Sequence, residues 1–345
     1  MTKKLALAAL LTLGFSTASA ADPLLITGAG ATFPFPLYSK WFSEYNKLYS
    51  DIRFNYQSIG SGGGIQQFTA GTVDFGATDA PMSDAELAKA PDAVHIPTVL
   101  GAVVVTYNAP FTGLKLTPAV LADIFLGKIT KWSDPAIAKI NPDIKFPDVA
   151  ITVVRRSDGS GTTYVFTDYL TKISAEWKEK AGTGKSVSWP VGLGGKGNEG
   201  VTGLIKQTPG SIGYVELAYA NQNKLPVTAL QNRDGNFVLP TLESTSAAAA
   251  GVVLPPDFRV SVTDPSGKNA YPIASFTYLL VHQDAKDKAK GDAMVKFLWW
   301  AVHAGQAMAI PLDYAPLPKP VVANVEKTIQ GLLVQGKPVA LAPVN

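Results

Sequence analysis

The stretch Arg156-Ser157-Asp158-Gly159-Ser160-Gly161-Thr162-Thr163 concentrates more chemistry than any other part of this chain. It follows a β-branched strand signal, Ile151-Thr152-Val153-Val154, and opens a helical pattern. Small residues there let backbone N–H groups face outward at a helix N-terminus, where no intrahelical acceptor reaches them. Ser160 and Thr162 add hydroxyl donors, and Arg156 adds a fixed fork of charged donors. Asp158 is spaced to hold that guanidinium in place. Gly161 leaves its N–H open to approach. The composition of the stretch predicts a site for a small, oxygen-rich anion.

Two other segments repeat this chemistry. Thr27-Gly28-Ala29-Gly30-Ala31-Thr32-Phe33 reads as a strand-to-helix loop. Thr32 can cap the helix or offer its hydroxyl to a ligand, and the Phe33 N–H is one of the unsatisfied donors of the first turn. Taken alone, this loop reads more plainly as a cap and a tight turn. Gly60-Ser61-Gly62-Gly63-Gly64 can line up N–H groups as an anion-binding nest, with the Ser61 hydroxyl beside it, or serve as a flexible turn. Asp79, in Gly76-Ala77-Thr78-Asp79-Ala80-Pro81, ends a strand. A carboxylate in an anion pocket makes sense if the ligand carries a proton, as phosphate does at neutral pH and sulfate does not. Asp79 would accept that proton's hydrogen bond and confront sulfate with an unpaired acceptor.

Other motifs are set aside. Gly195-Lys196-Gly197-Asn198-Glu199-Gly200 fits the spacing G-x-G-x-x-G, but no clear strand precedes it, so it reads as a coincidental match inside a glycine-rich loop, Gly192 to Gly203. His95, His282 and His303 do not form a ligand-spaced cluster, and there is no cysteine. No metal, cofactor or thiol chemistry is expected. Trp41, Phe42, Tyr45, Trp299 and Trp300 read as core.

The elements that must position these groups alternate between strand and helix, the pattern of an α/β layer architecture. A chain of 345 residues suggests two domains. Lys3 and Lys4, an apolar run from Leu5 to Phe15, and Ala18-Ser19-Ala20 read as a secretory signal peptide over residues 1–20. The formal charge of +3 falls to +1 without those two lysines, which argues against a nucleic-acid partner. Possible hinges lie near Pro97-Thr98 and Tyr271-Pro272.

In combination these segments resemble the periplasmic phosphate-binding proteins of bacterial high-affinity phosphate importers of the ATP-binding-cassette type. The resemblance rests on residues 27–34, 59–64, 73–81, 126–132, 154–162, 189–198 and 213–216, and covers essentially the whole mature chain. It implies a two-lobed, type II-like α/β binding protein. Each lobe would be a mixed sheet flanked by helices, with lobe I formed by 21–97 plus 272–345 and lobe II by 98–271. Inorganic phosphate would sit in the cleft, held by Thr32, Phe33, Ser61, Asp79, Arg156, Ser160, Gly161 and Thr162, with Asp158 behind Arg156. Gly62 departs from relatives that carry a second serine there; its N–H survives, so little effect is expected. The implied protein is a periplasmic monomer, not an enzyme, that delivers phosphate to an inner-membrane permease. A secreted phosphatase using the same loops, and a receptor of the same build for sulfate or molybdate, are the alternatives.

Overall fold

A computed structural model describes residues 22–343. The proposed signal peptide therefore lies outside the described residues. Eight strands form one curled, mixed sheet: β1 (Leu24–Gly30), β2 (Ile52–Ser58), β3 (Phe75–Thr78), β4 (Ala93–Asn108), β5 (Thr152–Arg156), β6 (Leu193–Gly195), β7 (Ser211–Glu216) and β8 (Ala274–His282). Their spatial order is β2-β1-β3-β8-β4-β7-β5-β6. Short three-strand sheets at 115–116, 229–231 and 237–238, and at 284–285, 333–334 and 337–338, decorate the two ends. The central strands β4 and β8 are almost wholly buried, as their near-continuous apolar runs require when helices cover both faces.

The sheet is shared between two halves by the single long strand β4. Its residues 93–102 pair with β8, and its residues 103–108 pair with β7. The change of partner falls between Ala102 and Val103, several residues beyond the Pro97-Thr98 position read from sequence. The returning chain passes at the same level, where Ile273 O accepts the Val103 N–H. Both connections thus lie side by side.

Four of the helices that follow strands border the crevice. They are α1 (Phe35–Leu48), α2 (Ser61–Thr69), α3 (Gly161–Ile173) and α4 (Gly197–Gln207). On α1, Leu37, Tyr38, Trp41, Phe42 and Tyr45 recur at helical spacing and are buried. Phe42 stacks on Phe54 of β2, with ring centroids 4.8 Å apart. Trp41 and Tyr45 belong to the same core, whereas Trp299 and Trp300 are only half-buried at its rim. The Gly60–Gly64 run is neither nest nor loose turn: it enters the first turn of α2. Its glycines serve close packing, since a Cβ on Gly64 would stand 2.4 Å from Gly30 Cα.

The Gly192–Gly203 segment also differs from the loop read in sequence. It forms β6 and then α4, so the G-x-G-x-x-G run does join a strand to a helix. Three residues are a minimal strand, and their glycine content hides it from propensity arguments. The N-terminal donors of α4 already have protein acceptors: Gly197 N–H donates to Asp158 Oδ1 and Asn198 N–H to Thr32 Oγ1. A nucleotide phosphate would have to displace both.

Candidate functional site

β1, β2 and β3 are parallel, as are β5, β6 and β7, so their C-terminal ends point into one crevice between the halves. The loops that leave those ends carry the residues singled out from sequence. Thr32 and Phe33 follow β1, Ser61 follows β2, Asp79 follows β3, Arg156 ends β5, and Ser160 to Thr162 follow it. Strand order, which sequence does not display, brings these distant segments together. Thr32, Phe33, Ser61, Asp79, Arg156, Ser160, Gly161 and Thr162 are all buried.

Each local conformation has a physical cause. Ser160 is the N-cap of α3 and its oxygen accepts the Thr163 N–H at 3.0 Å. The Gly161 and Thr162 N–H groups then open the helix without intrahelical acceptors. Ser61 is the first residue of α2, after Gly60 at the N-cap, and its hydroxyl oxygen accepts the Asp79 N–H at 3.2 Å. Thr32 does not cap α1 with its side chain. Phe33 N–H lies at the entry to that helix, while Phe33 O accepts Tyr314 OH at 2.6 Å.

Arg156 carries the one guanidinium in this cluster. Its Nε donates to Asp158 Oδ1 at 2.7 Å and its Nη2 to Asp158 Oδ2 at 2.6 Å. That two-point grip fixes the plane of the fork and leaves Nη1 toward Thr162 Oγ1, 3.4 Å away. Partial burial opposes the charge on Asp158, yet Arg156 and the Gly197 N–H hold its carboxyl below the usual range.

Asp79 faces the opposite situation. Burial pushes its carboxyl up to about 7, against the lowering effects of the Thr277 hydroxyl, Arg156 and Ser61. Thr277 Oγ1 donates to Asp79 Oδ1 at 2.9 Å, and Oδ2 lies 3.5 Å from Ser61 Oγ. Near neutral pH this group can therefore accept a hydrogen bond as the anion or donate one as the acid.

The halves are in contact across the crevice. Gly62 N–H donates to Gly159 O at 2.8 Å. The Gly62 donor expected to face a ligand is thus committed to the opposite half, and a serine Cβ at that position would stand 3.1 Å from Gly159 Cα. Tyr219 OH donates to Thr32 O at 2.6 Å. At the mouth, Lys185 Nζ bridges both Glu86 oxygens at 2.7 and 2.8 Å. Arg259 Nη1 reaches Asp84 Oδ1 at 2.7 Å and Met82 O at 3.0 Å.

Sequence reasoning missed Thr277 and Asn198. Thr277 is the one aliphatic hydroxyl within the run Phe276 to Val281, and that interruption was the available signal. Asn198 lay in the motif set aside, yet its amide nitrogen reaches both Thr32 Oγ1 and Thr162 Oγ1. Among the described residues no group of three or more His, Asp or Glu is arranged to hold a metal ion. A surface cavity lined in part by Asp74, Asp92, His282 and Lys290 lies apart from this cluster; there His282 pairs with Asp92 and Lys290 with Asp74.

Comparison with known proteins bears on the family and the fold. The PBP superfamily domain matches residues 17–304. The phosphate-binding protein PstS of Pasteurella multocida is 48% identical over 331 residues, covering 94% of this chain and 95% of its own. The chain belongs to the PBP superfamily and to its PstS branch. The phosphate-binding protein PstS of Xylella fastidiosa (strain Temecula1) is also 48% identical, over 87% of this chain and 84% of its own. A subatomic-resolution structure of a high-affinity periplasmic phosphate-binding protein bound with phosphate superposes with a TM-score of 0.72. It is 22% identical and covers 88% of this chain and 93% of that one. At that identity the likeness speaks for the fold, a mixed α/β architecture of the periplasmic binding-protein kind.

Proposed function

We propose that this protein captures inorganic phosphate between its halves and delivers it, chemically unchanged, to the membrane permease of an ATP-binding-cassette importer. The observation that carries this reading is the buried convergence of donors from three helix starts, one clamped guanidinium and one carboxyl able to accept. Thr32, Phe33, Ser61, Arg156, Ser160, Gly161 and Thr162 supply the donors. Asp79 accepts the hydrogen bond of the phosphate O–H, which sulfate lacks. With one arginine and near-neutral overall charge, affinity comes from directed hydrogen bonds in a water-excluded site rather than from a broad positive field. Each donor to an anion is of the charge-assisted kind, worth about 1.5–3 kcal/mol.

Lobe I is 21–97 with 272–345, and lobe II is 98–271. They part and close about the two passages between them, β4 and the chain that enters β8, and closure presents the permease with a distinct shape. The signal peptide over residues 1–20 directs the chain to the periplasm, where it acts as a monomer. Among the described residues no helix is long and apolar enough to cross a membrane.

Calorimetric titration of the mature protein, freed of copurified ligand, tests the reading. One phosphate per chain, no sulfate heat at a pH well above the Asp79 midpoint of about 7, and a loss of about 2–5 kcal/mol in Arg156→Ala are expected. Binding of sulfate at that pH, or full affinity in the Arg156 variant, overturns it. Incubation with a generic phosphate ester should leave the ester intact.

A further inference from the structure

We propose that Asn198 is a positioning residue that sets the direction of two hydroxyl groups, turning the O–H bonds of Thr32 and Thr162 onto the bound anion. The inference rests on the phosphate reading above and assigns a role to the glycine-rich strand-to-helix motif that the reading leaves unused.

The argument is one of counting donors and acceptors. A threonine hydroxyl has one hydrogen to donate and two lone pairs to accept with. Asn198 N–H reaches Thr32 Oγ1 at 3.1 Å and Asn198 Nδ2 reaches the same oxygen at 2.8 Å. Both lone pairs of Thr32 Oγ1 are thereby filled. The second hydrogen of Nδ2 points to Thr162 Oγ1 at 3.2 Å, where Arg156 Nη1 approaches from the other side at 3.4 Å. Thr162 Oγ1 is filled in the same manner. Among the described residues neither hydroxyl donates to a protein acceptor. The one remaining capacity of each is to donate, and the buried cluster they face is where an anion's oxygens accept.

The orientation of the amide is fixed independently. Asn198 Oδ1 accepts the Glu216 N–H at 3.1 Å, and a backbone N–H can only donate. The nitrogen must then face the threonines. Thr202 Oγ1 donates to Asn198 O at 2.8 Å, and Asn198 itself is fully buried. Every polar atom of the residue is therefore engaged. Asn198 belongs to α4 in one half and Thr32 follows β1 in the other, so the alignment of the Thr32 hydroxyl is completed only when the halves meet. Thr162 and Asn198 lie in the same half, which separates hydroxyl direction from closure.

Phosphate titrations of Asn198→Ala, Thr162→Val and the double variant test the inference, alongside thermal unfolding without ligand. Asn198→Ala is expected to weaken phosphate binding roughly 10- to 100-fold, the size of a misdirected bond to a charged group. In the Thr162→Val background the same substitution should cost less by a factor of about three or more, because one of its two targets is gone. Asn198→Asp keeps the shape and the Glu216 contact but turns donors into acceptors. It should weaken binding further, and it serves if the alanine variant does not fold. An unchanged factor in the Thr162→Val background assigns Asn198 a merely structural role and overturns the inference. Wild-type affinity in the aspartate variant overturns it as well. Failure of the wild-type protein to bind phosphate removes the functional reading and this inference together, whereas normal wild-type binding with indifferent Asn198 variants removes this inference alone.

Discussion

Gly161→Ala tests how closely the two halves must approach for phosphate to bind. A methyl group built on Gly161 stands 2.4 Å from Ser61 Oγ, 2.5 Å from Asp79 Oδ2 and 2.8 Å from Asp79 Cβ, all in the opposite half. Ordinary contact begins near 3.4 Å. Ser61 Oγ is tied to the Asp79 N–H and the Asp79 carboxyl to Thr277, so neither swings aside freely. Asp79 Cβ moves only with its backbone, and relief there requires the halves to part by about 0.6 Å. That shift stretches the Gly62–Gly159 bond from 2.8 Å to about 3.4 Å, beyond the range of a good N–H···O bond. Overpacking of about 1–3 kcal/mol plus a lost bond of about 1 kcal/mol gives ~2–4 kcal/mol, or roughly 30- to 1000-fold weaker phosphate binding. The unliganded protein escapes the clash by opening, so its unfolding temperature should not fall. Gly203→Ala, inside α4 with nothing within 4 Å of the added carbon, is the reference: binding unchanged, stability higher by about 0.5–1 kcal/mol. Calorimetry and thermal unfolding of both variants decide. Phosphate affinity within about threefold of wild type in Gly161→Ala would refute the closed geometry as the binding form.

Other substitutions probe separate parts of the same design. Since Asp79 titrates near about 7, sulfate binding by the wild type should strengthen as pH falls through that value, because the acid form donates where the carboxylate cannot. In Asp79→Asn that pH dependence should vanish and sulfate should bind at neutral pH; competition titrations against phosphate check both. Lys185→Ala removes the Glu86 bridge at the mouth and should speed phosphate release about two- to fivefold, measured by stopped flow, with the difference shrinking in high salt. His95 is held down to about 4 by burial and by Arg259, against the pull of Asp257 and Glu86, and its Nε2 accepts the Met82 N–H. Its unfolded form takes up a proton near 6.5 while the folded form resists, so stability is full above that pH and falls by about 3 kcal/mol as pH drops toward 4. His95→Gln, which can still accept from Met82, should flatten that part of the stability curve; denaturant unfolding across the window measures it.

Sequence alone determined which groups could hold an anion, because their chemistry is local. A hydroxyl before a helix, a glycine that bares its N–H, and an arginine two residues from an aspartate retain these capacities wherever the segment lies. The helix opened by the Arg156–Thr163 stretch and the strand-to-helix passage at Thr27–Phe33 were legible for that reason. Tertiary structure decided which of these capacities meet. The strand order β2-β1-β3-β8-β4-β7-β5-β6 sets four loops against one another, and no periodicity in the chain encodes it. Burial then raised the carboxyl of Asp79, which is a property of its surroundings and not of aspartate. Pairing across the crevice committed the Gly62 N–H to Gly159 and brought Thr32 to Asn198, whose contact with Thr162 is made within one half. Those partners are 97, 166 and 36 residues apart along the chain for Gly62–Gly159, Thr32–Asn198 and Thr162–Asn198 respectively, so only the packed fold can direct each hydrogen bond.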